Sequence, residues 1–263
     1  MATFSTLDFV IDSGIARITL NRPDAANGIS MQLAQELLQA SLACRCSTAV
    51  RAVLLTGKGR MFCAGGDLKS FVTHQARLQA YVKELTTYLH AAIANFARMR
   101  APLIAAVQGA AAGAGFSIAC CADLVLAARS ARFTMAYTGA GLVPDGSSSF
   151  FLPRIVGLRR AQELMLTNRR LSADEALDWG IVTRVVDDEA LAAAAGDLAR
   201  QIAAGPTGAY AAVKKLLAGT FECPLETQME QESMAIAEAA ISADGLEGVA
   251  AFFARRPPVF SGR

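Results

Sequence analysis

Short apolar runs typical of β-strands alternate with helical stretches along this chain, and this alternation restricts its fold more than any other feature. Two apolar, β-branched runs at residues 7–11 and 15–20 flank Asp12-Ser13-Gly14 and predict a β-hairpin. Further buried strands are predicted at 52–56, 103–107, 124–127 and 181–186. Helical periodicity is clearest at 31–43, 78–99, 159–166 and 190–203. Strands separated by helices predict an α/β fold.

Two serine residues mark the starts of predicted helices. Ser30 precedes the first long helix as an N-cap, and Ser172-Ala-Asp-Glu175 matches a capping box. After Gly205-Pro206 the pattern is helical through Phe253. We therefore predict an α/β core over residues 1–204 and a C-terminal helical subdomain over residues 205–263.

The balance of charge argues against a protein dedicated to nucleic acids or membrane surfaces. Lys and Arg number 25 against 23 Asp and Glu, which gives a net charge of +2. The most hydrophobic stretch, at 103–128, contains Gln108, Asp123 and several glycines, so it predicts a buried strand, a glycine turn and a buried helix rather than a membrane span. The N-terminal sequence MATFSTLDFV lacks a secretory signal pattern, and we expect a cytoplasmic protein.

The cysteines and histidines do not form a metal-binding pattern. The six cysteines stand singly or at C-x-C and C-C spacing, and there are only two histidines, His74 and His90. Structural zinc sites typically use C-x-x-C pairs. We predict no metal site.

Three glycine-rich segments are candidates for ligand contact, at 61–68, 108–115 and 139–146. None has the spacing of a dinucleotide-binding or phosphate-binding loop. Ala64-Gly-Gly66 and Gly113-Ala-Gly115 lie next to predicted strands or helices, where small side chains let backbone N–H groups face a ligand. Two such segments could form an oxyanion hole, whereas the alternative is that they only permit close packing and tight turns.

The segment Phe62-Cys-Ala-Gly-Gly-Asp-Leu68 resembles the F-x-A-G-x-D-[LI] motif of the enoyl-CoA hydratase/isomerase (crotonase) superfamily. Other segments resemble that family in the same order along the chain: Leu20-Asn-Arg-Pro23, the segments at 106–115 and 152–157, Ala122-Asp123, and those at 176–180 and 251–256. The resemblance implies a crotonase-like spiral of ββα units. It also implies a C-terminal helical subdomain that packs homotrimers, which pair into hexamers.

The resemblance further implies how an acyl-CoA thioester is bound. The amides of Ala64 and Ala114, the latter following Gly113, are expected to hold the thioester oxygen as an enolate forms. Contacts to CoA are expected from Ala25, Ala26, Asp67 and Leu68, and from Phe252 and Arg255 of a neighbouring subunit, one turn apart on a single helix face. Tyr137 is expected near the acyl group. No cofactor is implied beyond the coenzyme A that is part of the substrate.

The departures from the hydratase pattern point to the reaction. The two glutamates of the family's hydratases correspond here to Ser117 and Tyr137, neither of which is a ready base near pH 7. Asp145 follows Pro144 in a position that resembles the aspartate of the epoxyphenylacetyl-CoA isomerase branch. One carboxylate that takes a proton from one carbon and returns it to another suffices for isomerisation. By sequence alone, Pro144-Asp-Gly146 is also a favoured turn triplet.

Three other hypotheses about the function are consistent with the sequence. A hydratase that adds water to a 2-enoyl-CoA is the first, with Asp145 in a modified role. The resemblance extends to the 4-chlorobenzoyl-CoA dehalogenases, in which an aspartate is the nucleophile and a histidine corresponds to His90; their tryptophan is Tyr137 here. His90 is thus a further catalytic candidate, although a lone histidine on an amphipathic helix is more often a packed or surface residue. The third is a family member that binds CoA or RNA and has lost catalysis.

Overall fold

The computed structural model describes residues 4–263, so the first three residues of the predicted core lie outside it, as does the start of the segment MATFSTLDFV. Nine strands are present in this range: β1 (Leu7–Asp12), β2 (Ile15–Leu20), β3 (Ala52–Gly57), β4 (Leu103–Val107), β5 (Ala110–Ala112), β6 (Leu124–Ala128), β7 (Arg132–Thr134), β8 (Leu171–Ser172) and β9 (Arg184–Val186). The larger sheet has the order β1-β2-β3-β4-β6-β9, and β5, β7 and β8 form the smaller one. The structure thus confirms the predicted α/β class.

Eleven α-helices lie in the same range: α1 (Met31–Cys46), α2 (Leu68–Thr73), α3 (Leu78–Arg98), α4 (Ala114–Cys121), α5 (Ser148–Val156), α6 (Leu158–Thr167), α7 (Ala173–Asp178), α8 (Leu191–Ala204), α9 (Thr207–Gly219), α10 (Leu225–Ala240) and α11 (Ala243–Phe253). Ser30 caps α1 by accepting the Leu33 amide, and the Ser172–Glu175 capping box is formed. The proposed domain boundary falls where α8 ends.

The hairpin is formed as predicted: β1 and β2 pair antiparallel, and the other neighbours in the larger sheet pair parallel. The strand predicted over 181–186 is wrong in its first half. The amides of Ile181 and Val182 both donate to the Ala176 carbonyl, so these two buried residues close the end of α7 and pairing begins only at Arg184.

The hydrophobic stretch at 103–128 forms the predicted buried strand and buried helix, and α4 is buried along its whole length. The predicted glycine turn is instead the short strand β5 between Gly109 and Gly113, both of which have positive φ. No helix within residues 4–263 is long and apolar enough to span a bilayer. The stretch therefore places the start of α4 inside the protein, at the edge of a cavity.

The C-terminal helices are joined to the core through α9. Lys214 Nζ lies 2.6 Å from the Asp123 carboxylate and also donates to the carbonyls of Phe96 and Ala101. Both side chains of this ion pair are largely shielded from solvent. Burial raises the pKa of Asp123 despite the nearby Lys214, so the pair is held at a cost of desolvation.

The N-terminal segment is held by one buried carboxylate on α1. Glu36 accepts hydrogen bonds from the backbone and hydroxyl groups of Ser5 and Thr6, at 2.6 to 3.1 Å. Burial opposes its ionisation, but the hydrogen bonds from Thr6 and Ser5 outweigh burial and lower the pKa of Glu36 below the ordinary 4.5. The stability that the ionised Glu36 contributes is present above about pH 4.5 and is lost as the pH falls through the lowered pKa of Glu36.

Glu36→Gln is expected to lower the free energy of unfolding by about 1 to 2 kcal/mol at pH 7, because a neutral amide replaces a carboxylate with several donors. The deficit should narrow in acid, as the pH falls from about 4.5 through the lowered pKa of Glu36, because the native carboxylate is then protonated too. Urea unfolding at pH 7 and in acid measures the deficit under the two conditions. Glu189→Gln is the control because Glu189 is exposed. A deficit of equal size at both pH values would contradict this account.

Candidate active site

A cavity of about 320 Å³ lies between α3, the loop before α2, the start of α4 and the 136–145 loop. Most of its wall is apolar, and its lining comprises Ile29, Ala64, Gly65, Gly66, Leu68, Phe71, Val82, Leu85, Thr86, Leu89, Gly113, Ala114, Ala136, Tyr137, Ala140, Leu142, Val143 and Asp145. Asp145 is the one carboxylate in this lining. An apolar cavity with a few polar groups is the usual form of a small-molecule site.

The two glycine-rich segments pack directly on one another at the cavity. A Cβ atom on Gly115 would lie 2.3 Å from the Cys63 carbonyl oxygen, so only glycine permits this approach. Gly65 has φ +100°, a conformation that side chains disfavour, and a Cβ there would lie 3.0 Å from the Ala112 carbonyl oxygen. The two segments thus serve both close packing and the cavity wall.

The assignment of the Ala64 amide as an oxyanion donor is wrong. Its N–H donates to the Ala26 carbonyl at 3.0 Å and is not free for a ligand. Gly66 pairs with Ile29 as a parallel bridge, in which residues 65 and 67 bond to Ile29. The N–H of Gly66 therefore points away from Ile29, and no acceptor within residues 4–263 receives it. The Gly66 amide, and not that of Ala64, is therefore the one left without an acceptor in the part of the chain that the structure describes.

Ala114 fits the expected role of second donor. It is the first residue of α4, where an N–H has no acceptor within the helix, and no other group in the described part of the chain accepts it. The preceding amide, that of Gly113, donates to the Thr134 carbonyl at 3.0 Å. Gly113 therefore shapes the turn, and Ala114 presents the donor.

Asp145 is held from two sides at the edge of the cavity. The Tyr137 hydroxyl donates to Asp145 Oδ1 at 2.6 Å, and His90 Nε2 lies 3.1 Å from Oδ2. The Asp145 carbonyl accepts the hydroxyls of Ser117 and Ser148, at 2.8 and 3.0 Å. The turn predicted at Pro144-Asp-Gly146 thus carries a carboxylate with a fixed orientation, and helix α3 supplies His90.

Tyr137 is a neutral hydrogen-bond donor. Burial raises the pKa of Tyr137 well above its usual range, and the neighbouring Asp145 carboxylate raises it further. Its hydroxyl also lies 3.2 Å from the hydroxyl of the fully buried Ser117. Neither residue can be the base in neutral solution, which agrees with the expectation from their side-chain types.

The segment expected to meet CoA is fixed by Arg22. Its guanidinium lies 2.9 Å from the Asp67 carboxylate and also donates to the Gly28 carbonyl. The carboxylate of Asp67 is therefore occupied by an ion pair that ties the loop at residues 22–28 to the residue that precedes α2. Ala25 and Ala26 lie in the tied loop, and the half-exposed Leu68 begins α2 at the cavity.

The expected arrangement of Phe252 and Arg255 on one helix face is wrong. Helix α11 ends at Phe253, and Arg255 has φ +53°, in the left-handed region. The chain has therefore turned away before Arg255, although Phe252 is 79% exposed and available for contact. Any joint contact with a ligand would combine Phe252 from the last turn of α11 with Arg255 from the loop that follows.

Comparison with known proteins identifies the family. The sequence profile described as enoyl-CoA hydratase/isomerase matches residues 10–263. The chain belongs to this family. It is 37% identical to the 1,2-epoxyphenylacetyl-CoA isomerase of Escherichia coli (strain K12) over 254 residues, covering 96% of this chain and 97% of that one. The family assignment confirms the crotonase-type fold.

Two further relatives of this enoyl-CoA hydratase/isomerase family member differ in reaction. The 4-chlorobenzoyl coenzyme A dehalogenase-2 of Arthrobacter sp is 40% identical over 220 residues, covering 83% of this chain and 80% of that one. The crystal structure of an enoyl-CoA hydratase from Bacillus anthracis superposes with a TM-score of 0.92 at 30% identity, covering 98% of this chain and all of the other. The fold is thus shared by isomerases, dehalogenases and hydratases, and the reaction depends on the site.

Proposed function

We propose that this protein isomerises an acyl-CoA thioester by moving a proton, and with it a double bond, along the acyl chain or ring. The observation that carries the proposal is the placement of Asp145, the one carboxylate in the cavity lining, in a cavity that Gly66 and Ala114 also line. CoA enters as part of the substrate and not as a separate cofactor.

The steps follow from the chemistry of a thioester. The Gly66 and Ala114 amides would donate to the thioester oxygen and stabilise the negative charge that develops there. Asp145 would take a proton from the α-carbon, which leaves an enolate. The same carboxylic acid would then return the proton to the γ-carbon, so that the double bond moves and Asp145 is ionised again.

Hydration is the less supported alternative. It needs a base for water and an acid for the α-carbon, and the residues at the two glutamate positions are a neutral phenol and a buried hydroxyl bound to backbone carbonyls. Addition of water to crotonyl-CoA at a rate comparable with isomerisation would favour it.

Hydrolytic dehalogenation is the second candidate, favoured by the contact of His90 with Asp145 and by the similarity to the Arthrobacter sp dehalogenase. In that reaction the Asp145 carboxylate would displace halide from an aryl-CoA ring to form an aryl ester. His90 would then activate the water that hydrolyses the ester. Chloride release from 4-chlorobenzoyl-CoA tests this route.

A panel of thioesters separates these functions. Isomerisation of a 3-enoyl-CoA to the conjugated 2-enoyl-CoA, with no halide release, supports the proposal. If acyl-CoA ligands raise the melting temperature of the protein but none of the panel reacts, a family member that only binds CoA is favoured instead.

We also propose that the chain assembles into trimers, which can pair as hexamers. Large apolar side chains remain exposed on the C-terminal helices and the turns between them: Val213, Leu217, Phe221, Leu225, Met229, Met234, Ile236, Ile241, Leu246, Val249, Phe252 and Phe253. Such a surface is typical of a subunit interface. Light scattering is expected to give three or six times the chain mass of 27.6 kDa, and a monomer at working concentration would refute the assembly.

The cytoplasm is the proposed location. All six cysteines are free thiols, and four of them are buried. Free thiols persist in a reducing compartment, whereas secreted proteins commonly pair them. Cell fractionation that found the protein with secreted or periplasmic markers would contradict this proposal.

A further inference from the structure

His90 Nε2 lies between two groups that require opposite protonation states of this nitrogen. It is 3.1 Å from Asp145 Oδ2 and 3.2 Å from the backbone nitrogen of Gly146. With a hydrogen, Nε2 donates to an ionised Asp145; without one, it accepts from the Gly146 N–H and from a protonated Asp145. The nitrogen can therefore exchange a proton with Asp145 and has a stable partner in either state.

The other side of Asp145 is closed. Oδ1 faces the Tyr137 hydroxyl, whose raised pKa keeps it neutral. Beyond Tyr137 lies Ser117, whose fully buried hydroxyl bonds, among the residues that the structure describes, only to Tyr137 and to the carbonyls of Gly113 and Asp145. A proton that moved in this direction would reach no solvent.

The His90 side opens to water. The His90 side chain is 48% exposed, compared with 27% for Asp145. Within residues 4–263, no group hydrogen-bonds to His90 Nδ1. The imidazole thus meets the carboxylate through Nε2, has Nδ1 free to hold its other hydrogen, and has about half of its side chain in contact with solvent, which is what a proton relay needs.

We propose that His90 relays protons between Asp145 and solvent, so that the proton taken from the substrate is exchanged before it is returned. This inference rests on the proposed isomerisation. As the relay operates, the Oδ2–H bond of Asp145 breaks and an Nε2–H bond forms, which gives an imidazolium. The imidazolium then breaks this Nε2–H bond to water at its half-exposed ring and is left neutral with its hydrogen on Nδ1. The reverse sequence brings a solvent proton onto Nε2 and from there to Asp145.

The experiment follows the fate of the substrate hydrogen. cis-3-Hexenoyl-CoA with two deuterium atoms at C2 is converted to trans-2-hexenoyl-CoA in ordinary water, and the deuterium content of the product is measured by mass spectrometry at low conversion. The native protein is expected to give mostly product with one deuterium, because the abstracted deuteron is lost to solvent. High retention of the second deuterium by the native protein would overturn the relay without any variant.

His90→Gln separates the relay from a structural role. The glutamine amide can donate to Asp145 and accept from Gly146, but it cannot pass a proton. The variant is expected to isomerise and to retain the second deuterium at least about fivefold more often than the native protein. Unchanged retention would overturn the relay. A folded His90→Gln variant with no isomerisation at all would also overturn it, because Asp145 can return the proton directly without a relay.

Tyr137→Phe is the matched control, since it also removes one hydrogen bond from the Asp145 carboxylate, but on the closed side. It is expected to slow the reaction and to keep retention as low as in the native protein. If it raises retention as much as His90→Gln does, the effect belongs to carboxylate positioning and the relay is overturned. If the native protein isomerises none of the thioesters, the proposed function fails instead.

Discussion

Asp145→Asn is expected to slow isomerisation of a 3-enoyl-CoA about 10³-fold, since positioned acid–base groups commonly contribute factors of 10² to 10⁴. Asparagine preserves the size of the side chain and can still accept from Tyr137, but its amide cannot take the α-proton. Tyr137 remains a neutral donor, and Ser117 is committed to carbonyl acceptors, so neither can replace the lost base. The rate is followed by the absorbance of the conjugated 2-enoyl thioester.

The matched control for this variant is Asp187→Asn, which removes an exposed carboxylate whose partner is Arg129 at the surface. It should isomerise at the native rate. Circular dichroism and thermal melting of both variants test whether the fold is intact. A folded Asp145→Asn protein with more than a tenth of the native rate would show that Asp145 is not the base.

Ala114→Pro is expected to lower kcat by a factor of about 10² to 10³, because removal of one oxyanion donor typically has this effect. Proline lacks the N–H, and the first turn of a helix tolerates it, since that amide has no helical acceptor. Ala114 is the first residue of α4, so the substitution removes the donor while α4 keeps its remaining hydrogen bonds.

Ala114→Gly is the control because it keeps the amide at the same position, and its kcat should stay within severalfold of the native value. Binding of a saturated acyl-CoA, followed by its effect on the melting temperature, tests whether the proline variant still forms the cavity. A proline variant that folds, binds acyl-CoA and keeps the native kcat would show that this amide does not stabilise the transition state.

Most of the fold was predictable, because it depends on local patterns. The period of the apolar residues predicted the hairpin and the long helices, and the hydroxyl of Ser30 marked the start of α1. Helix α5 was missed because a short apolar run with Pro153 near its end shows no clear helical period. Short elements of this kind are determined more by tertiary packing than by their own sequence.

The details of the site were less predictable, because they depend on backbone direction. The motif predicted that residues 64–66 face a ligand, but the bonds of Ala64 to Ala26 and of residues 65 and 67 to Ile29 leave the Gly66 amide, and not that of Ala64, without an acceptor among the described residues. By contrast, the helical pattern already ended at Phe253, as α11 does, and the expectation that Arg255 shares its helix face came from the resemblance alone. The sequence did carry a signal for residues 64–66, namely two adjacent glycines. The positive φ of Gly65 explains one glycine, and the second glycine calls for a separate explanation.

His90 illustrates the same limit for side chains. Its spacing on α3 predicts only a residue near the helix surface, and its side chain is indeed 48% exposed. Its contact with Asp145 joins residues 55 positions apart and arises from the way the 136–145 loop folds back over α3. Only the tertiary structure places these two groups together.

The most direct test of the account is α-proton exchange of acyl-CoA thioesters in deuterated water, measured by mass spectrometry for the native protein and Asp145→Asn. The panel contains 2-enoyl, 3-enoyl and arylacetyl thioesters. The account predicts that the native protein incorporates deuterium into at least one of them and that Asp145→Asn does not. Binding of these thioesters by the native protein without any exchange would contradict enolate formation, and with it the proposed isomerase.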